Sequence, residues 1–157
     1  MSDENTQQEA VQQQFEIQKI YVKDASLEIP NAPVVFTEQW QGESNLQLGN
    51  ASNQLTDELF EVVLTVTLTT SNAGKTAYLV EVKQAGIFTL KGFSREHMGA
   101  MLGAYCPNAL FPYARETIST LVQKGGFPPV WLQPVNFDAL YLQHLQAQQQ
   151  QAGAASA

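Results

Sequence analysis

Leu59-Phe60-Glu61-Val62-Val63-Leu64-Thr65-Val66-Thr67-Leu68-Thr69-Thr70 decides the fold. Phe60, Val62, Leu64, Val66 and Leu68 occupy every second position, alternating with Glu61, Thr65, Thr67 and Thr69 beside Leu59 and Val63. A period of two over this length describes a strand with one face buried and one largely wet, as an antiparallel sheet permits. Ser71-Asn72-Ala73-Gly74 follows as a hairpin turn, with Gly and Asn suited to positive φ. The return strand, over 76–90, puts Tyr78, Val80, Val82 and Gln84 on one face and Leu79, Glu81 and Lys83 on the other. Gly86 is expected to mark a bulge or bend.

Upstream of the hairpin, Phe15, Ile17, Ile20, Tyr21 and Val22 form another strand. Its apolar phase slips between Ile17 and Ile20, which predicts a bulge near Gln18-Lys19. Asp24, Ser26 and Glu28 then share one face, and Ala25, Leu27 and Ile29 the other, until Pro30-Asn31-Ala32-Pro33 ends the strand. Residues 34–40 read as an irregular apolar crossing ending in Trp40. A shorter strand over 45–55 carries Leu46 and Leu48 and is expected to break at Gly49-Asn50-Ala51-Ser52.

After Gly92 the period changes. Ser94 caps a short helix with Met98, Met101, Leu102 and Tyr105 on one stripe, weakened by Gly99 and Gly103. Pro112 is read as the start of the main helix, whose inner face is Ala114, Ile118, Leu121, Val122 and Gly125. Its Thr117 and Thr120 flank suits a second subunit. The proline-rich 126–134 should lie on the body as a loop. Asn136 caps a last helix with Phe137, Leu140, Tyr141 and Leu145 on one stripe and Leu142 off it; Gln146 and the glutamines at 148–151 could prolong it, but with nothing there to pack it is expected to fray into 152–157. Strands first and helices last gives an α+β fold: a four-stranded antiparallel sheet with C-terminal helices packed on one face. The expected organisation is a flexible polar tail (1–14), one domain (15–145) and a flexible Gln/Ala-rich tail (146–157).

The chain has 157 residues, 44% of them hydrophobic, and a net charge of −7. That sign argues against nucleic acid and anionic lipid, which need clustered Lys and Arg. No apolar run approaches the roughly 20 residues of a membrane span. The glutamine-rich start has no apolar core of a secretory signal, and the lone cysteine suits a reducing interior, so a cytoplasmic location is expected. Cys106, with His97 upstream, is the one pairing that suggests thiol chemistry; its plainer reading is a small buried hydrophobe and a surface histidine. Two distant histidines, one cysteine and scattered carboxylates make neither a metal set nor an acid–base pair, so no metal, cofactor or enzymatic activity is expected. The unabsorbed feature is the set of aromatics in loops or at element starts, among them Phe36, Trp40, Tyr105, Phe127 and Trp131. They either pin loops or line a groove.

Gly103-Ala104-Tyr105-Cys106-Pro107-Asn108-Ala109-Leu110-Phe111-Pro112-Tyr113-Ala114-Arg115-Glu116 resembles the signature of SecB, the bacterial protein-export chaperone family. Residues 18–24, 30–33, 86–88 and 134–140 resemble further blocks in order, so the likeness runs from about Phe15 to the final helix. It implies a cytosolic homotetramer, a dimer of dimers, that binds unfolded secretory precursors and delivers them to the SecA motor without an ATPase of its own. Carried onto this sequence, it implies SecA docking through Asp24, Glu28, Leu79 and Glu81. It also places Val80, Val82 and Gln84 behind assembly, and a client groove over Trp40, Leu46, Leu48, Tyr105, Phe137 and Leu142. The alternative is a small-molecule binder or thiol enzyme using Cys106.

Overall fold

The computed structural model describes residues 12–155. The expected N-terminal tail therefore lies almost wholly outside the described residues. Four strands form one antiparallel sheet: β1 (Gln14–Glu28), β2 (Gly42–Gln54), β3 (Leu59–Asn72) and β4 (Lys75–Lys91), in the order β1-β4-β3-β2. The alternation over β3 is realised without a break: its even-numbered residues are buried and its odd-numbered ones only partly covered. Ala73 and Gly74 both take positive φ, 51° and 79°, which closes β3 onto β4 with a two-residue turn of the type that matches strand twist.

Register corrects two expectations. Gly86 stands in unbroken pairing, opposite Val62 on one side and Ile20 on the other. It is glycine because a Cβ there would lie 2.7 Å from the Phe88 ring and 3.0 Å from Leu110. Strand β2 likewise runs through Gly49–Ser52 without interruption, paired residue for residue with β3. The irregularities fall elsewhere: in β1 between Ile17 and Lys19, as the phase slip predicts, again between Val22 and Asp24, and at Ala77 in β4.

The helical region also departs from its reading. Helix α1 (Arg95–Ala100), a wider π-type turn (Met101–Tyr105) and helix α2 (Cys106–Lys124) follow one another without a gap, so Pro112 lies inside α2 and does not start it. Pro107, near the start of α2, has no N–H to donate, and the π turn just before it is where the ladder accommodates the misfit. Ser94 caps α1, its Oγ accepting from His97 N at 3.2 Å. Gly126, at φ 88°, ends α2; its N–H donates to Gln123 O and that of Phe127 to Val122 O, the paired bonds of a Schellman stop. Helix α3 (Phe137–Ala155) starts at Asn136, whose Oδ1 accepts from Ala139 N at 3.0 Å. It continues through the glutamine run to Ala155, because Gln and Ala are good helix formers and no breaker precedes Gly153.

Helix α2 lies on β4 and β3, burying Leu110, Phe111, Ala114, Ile118 and Val122 against Val62, Leu64, Val66, Val80 and Val82. Loop residues Phe127, Val130, Leu132 and Val135 complete this cover, as expected of an apolar loop held on the body. Helix α3 meets the rest mainly at the π turn, through Tyr141. A Cβ at Gly103 would stand 2.4 Å from the Tyr141 ring and one at Gly99 2.5 Å from its hydroxyl, so the two glycines that weaken the helix locally form the seat for α3.

Candidate functional site

The sheet has a covered face, under α2, and an open one. Cross-strand pairing assigns residues to each. Opposite one another on the open face stand Asp24 and Lys83, Ser26 and Glu81, and Glu28 and Leu79, on adjacent strands β1 and β4. The structure thus brings Asp24, Glu28, Leu79 and Glu81 together at one end of that face, three carboxylates beside one half-covered leucine. Glu81 also accepts a hydrogen bond from Thr67 Oγ1 at 3.0 Å. Further along, Tyr21 donates its hydroxyl to Glu61, and Lys23 Nζ sits 3.0 Å from the same carboxylate. Sequence reading missed this trio, since nothing in the spacing of residues 21, 23 and 61 announces it. The Tyr21 bond, then Lys23, hold the Glu61 carboxyl below its ordinary range, and Glu61 in turn raises the Tyr21 hydroxyl to about 12.

Val80, Val82 and Gln84 face the other way and are almost completely covered by α2 of their own chain. Read as oligomer contacts from the family likeness, they stand in this chain's own core, with almost no surface of their own to offer. Gln84 donates its Nε2 to Tyr21 O at 3.1 Å, while its buried Oε1 has no partner among the described residues. Thr117 and Thr120 lie on the outer side of α2, where Thr120 lines a recess of about 330 Å³ with Arg115, Glu116 and Trp131. Trp131, 75% exposed, is the most exposed large apolar side chain described.

The groove residues divide among several places. Trp40 packs against Phe127 (ring centroids 5.5 Å apart), which also meets Phe36 and Tyr78. Leu46 and Leu48 line the covered face of edge strand β2, partly buried beside the core. Tyr105, 53% exposed, stands edge-on to Phe15 and shares a recess of about 280 Å³ with Val135 and Phe137. Phe137 itself is 6% exposed and packs on Phe111, so it is an anchor of α3 first and groove lining second. Leu142 points outward from α3, 57% exposed. A cleft of about 370 Å³ lies between the β2 backbone at Asn50–Ser52 and α3, lined by Leu102, Leu140, Tyr141 and His144. Leu140 lines this cleft and Leu142 does not.

Cys106, the first residue of α2, is fully buried, and burial pushes its thiol up to about 12. At neutral pH almost no thiolate forms, which counts against the thiol-enzyme alternative.

A family model described as SecB, preprotein translocase subunit SecB, matches residues 7–148. The chain belongs to the SecB family. It is 59% identical over 152 residues to the protein-export protein SecB of Methylococcus capsulatus, covering 97% of this chain and 96% of that one. The SecB of Nitrosococcus oceani is 53% identical, over 98% of this chain and 94% of its own. Among solved structures, a SecB-like chaperone of Mycobacterium tuberculosis in complex with an antitoxin peptide superposes with a TM-score of 0.65 at 20% identity, over 77% of this chain and 90% of that one. At that identity the likeness bears on the fold alone.

Proposed function

We propose that this chain is an ATP-independent export chaperone of the cytoplasm, which holds unfolded precursor proteins in apolar grooves and delivers them to SecA. The observation that carries the reading is family membership across residues 7–148. The chain's own surface agrees with it. Apolar side chains remain open at several places on that surface: Trp40, Tyr105 and Leu140 are exposed, and Leu46 and Leu48 are only partly buried on edge strand β2. Binding there relies on burial worth about 25 cal/mol per Å² of apolar area, which discriminates little by sequence. Assembly into a homotetramer, a dimer of dimers, multiplies weak grooves by avidity. Selection among clients is then kinetic, because a polypeptide that folds quickly hides its segments before capture.

In this reading, Thr117 and Thr120, the latter beside Trp131, face another subunit. Val80, Val82 and Gln84 affect assembly only by seating α2. Asp24, Glu28 and Glu81, with Leu79, form a patch for a cationic segment of SecA, where charge complementarity speeds encounter and fixes partner choice.

Tyr105→Asp should weaken capture of a non-folding precursor about tenfold and leave the native mass at four subunits. Glu81→Lys should lose SecA in a pull-down yet capture the precursor normally. A monomeric native mass, or a Tyr105→Asp protein that captures precursors as the wild type does, would sink the proposal.

A further inference from the structure

Strand β1 changes phase twice. Gln14 and Glu16 pair onto the open face, then Lys19 and Tyr21, then Asp24, Ser26 and Glu28. Each change takes one extra residue, Gln18 and then Lys23, which stands in β1 without a counterpart in β4. A strand side chain reverses face with a one-residue slip, so the position of the second bulge decides where residues 24–28 point. With the bulge at Lys23, Asp24 and Glu28 reach the open face. Leu27 packs on the core, and both it and Ile29 lie within 3.2 Å of a Cβ placed at Gly125. An extra residue absorbed beyond Glu28 would invert all of them.

Side chains hold this bulge from both faces. On the open side, Tyr21 and Lys23 converge on Glu61, whose side chain is 15% exposed against 48% for Lys23. On the covered side, Gln84 Nε2 donates to the Tyr21 carbonyl at 3.1 Å. The first bulge has its own tie, from Gln18 Nε2 to Thr89 Oγ1 at 2.9 Å.

We infer that Tyr21, Lys23 and Glu61 are positioning residues for partner docking: they pin the second β1 bulge at Lys23 and so turn Asp24 and Glu28 onto the docking face. The inference rests on the reading of that face as the SecA surface. None of the three needs to touch SecA.

The test measures SecA affinity, precursor capture and amide hydrogen exchange in the full-length protein. Glu61→Gln and Tyr21→Phe should each weaken SecA binding about tenfold. Amides of residues 24–28 should exchange faster, while native mass and precursor capture stay as in the wild type, which shows that the variants fold. Because both act through one interaction, the double variant should be little weaker than either single one. Deleting Lys23 in the Glu61→Gln background should restore docking, since the ladder then reaches Asp24 in phase without an extra residue to pin. Wild-type docking and exchange in Glu61→Gln, beside lost docking in Glu81→Lys, would overturn the inference and leave the docking surface standing. Wild-type docking in Glu81→Lys would overturn the surface itself, and the docking role drawn from it.

Discussion

Strand β3 and strand β1 belong to one sheet and are held on opposite terms. Strand β3 lies between two partners, pairs with β2 without a slip over its whole length, and buries every second residue. Its conformation follows from period and burial, and no single side chain is needed to fix it. Strand β1 is an edge with two bulges, each tied down by a few polar side chains. Helix α3 resembles β1 in this respect, seated through Tyr141 on two glycines. The difference teaches that the centre of the sheet supplies stability while its periphery supplies aim. Changes at the centre should therefore cost the fold, and changes at the periphery should cost a surface.

The largest effect is expected from Val66→Asp. Val66 is fully buried between Leu48 and Val82. An unpaired carboxylate there costs about 4 kcal/mol or more, a large share of a domain's total stability. Loss of the cooperative urea transition checks it; a folded variant would mean that the centre tolerates what it should not.

Next comes Gly103→Ala. Helix propensity alone favours alanine by about 1 kcal/mol. The new Cβ meets the Tyr141 ring, and overpacking of this kind costs about 1–3 kcal/mol. A net loss is expected in urea, reversing to a gain in a Tyr141→Ala background. The reversal is the decisive result, because only the seat explains it.

A smaller effect separates β1 from β3 by pH. The Glu61 carboxyl is held below its ordinary value of 4.5 by Tyr21 and Lys23. A depressed folded value means this stabilisation is fully present above the unfolded value and is lost as pH falls through the folded one. Glu61→Gln should therefore lower stability at pH 7 by less than about 1 kcal/mol and converge with the wild type in acid. Unfolding curves at pH 7 and below pH 4 check the convergence.

The same contrast explains what the sequence made legible. Strand β3, the hairpin and the α+β class followed from a period of two, and the slip between Ile17 and Ile20 located the first bulge of β1. The second bulge escaped because its lock joins residues 21 and 23 to residue 61, a contact that only pairing through β4 creates. Gly86, Gly99 and Gly103 carried no sign that rings would cover them; local rules read the first as a bulge or bend and the other two as weak points of a helix. Pro112 was misplaced because a start signal and a mid-helix proline look alike until the preceding π turn is seen. Among the groove residues, period placed Leu142 off the buried stripe, and only the family likeness recommended it.

The smallest prediction concerns the turn that joins the regular strands. Ala73 holds φ at 51°, a left-handed conformation that costs a residue with a Cβ about 1–2 kcal/mol, and it is exposed, so no packing compensates. Asparagine tolerates this conformation better, and Asn-Gly is favoured in two-residue turns of this type. Ala73→Asn should raise stability by about 0.5–1 kcal/mol, moving the urea midpoint with an unchanged slope. Ala73→Gly should gain less, because glycine loses more freedom on folding. Midpoints ranked asparagine, glycine, alanine would place strain in the turn that joins the two central strands. An unchanged midpoint for Ala73→Asn would mean that the centre of the sheet accommodates the alanine at no cost.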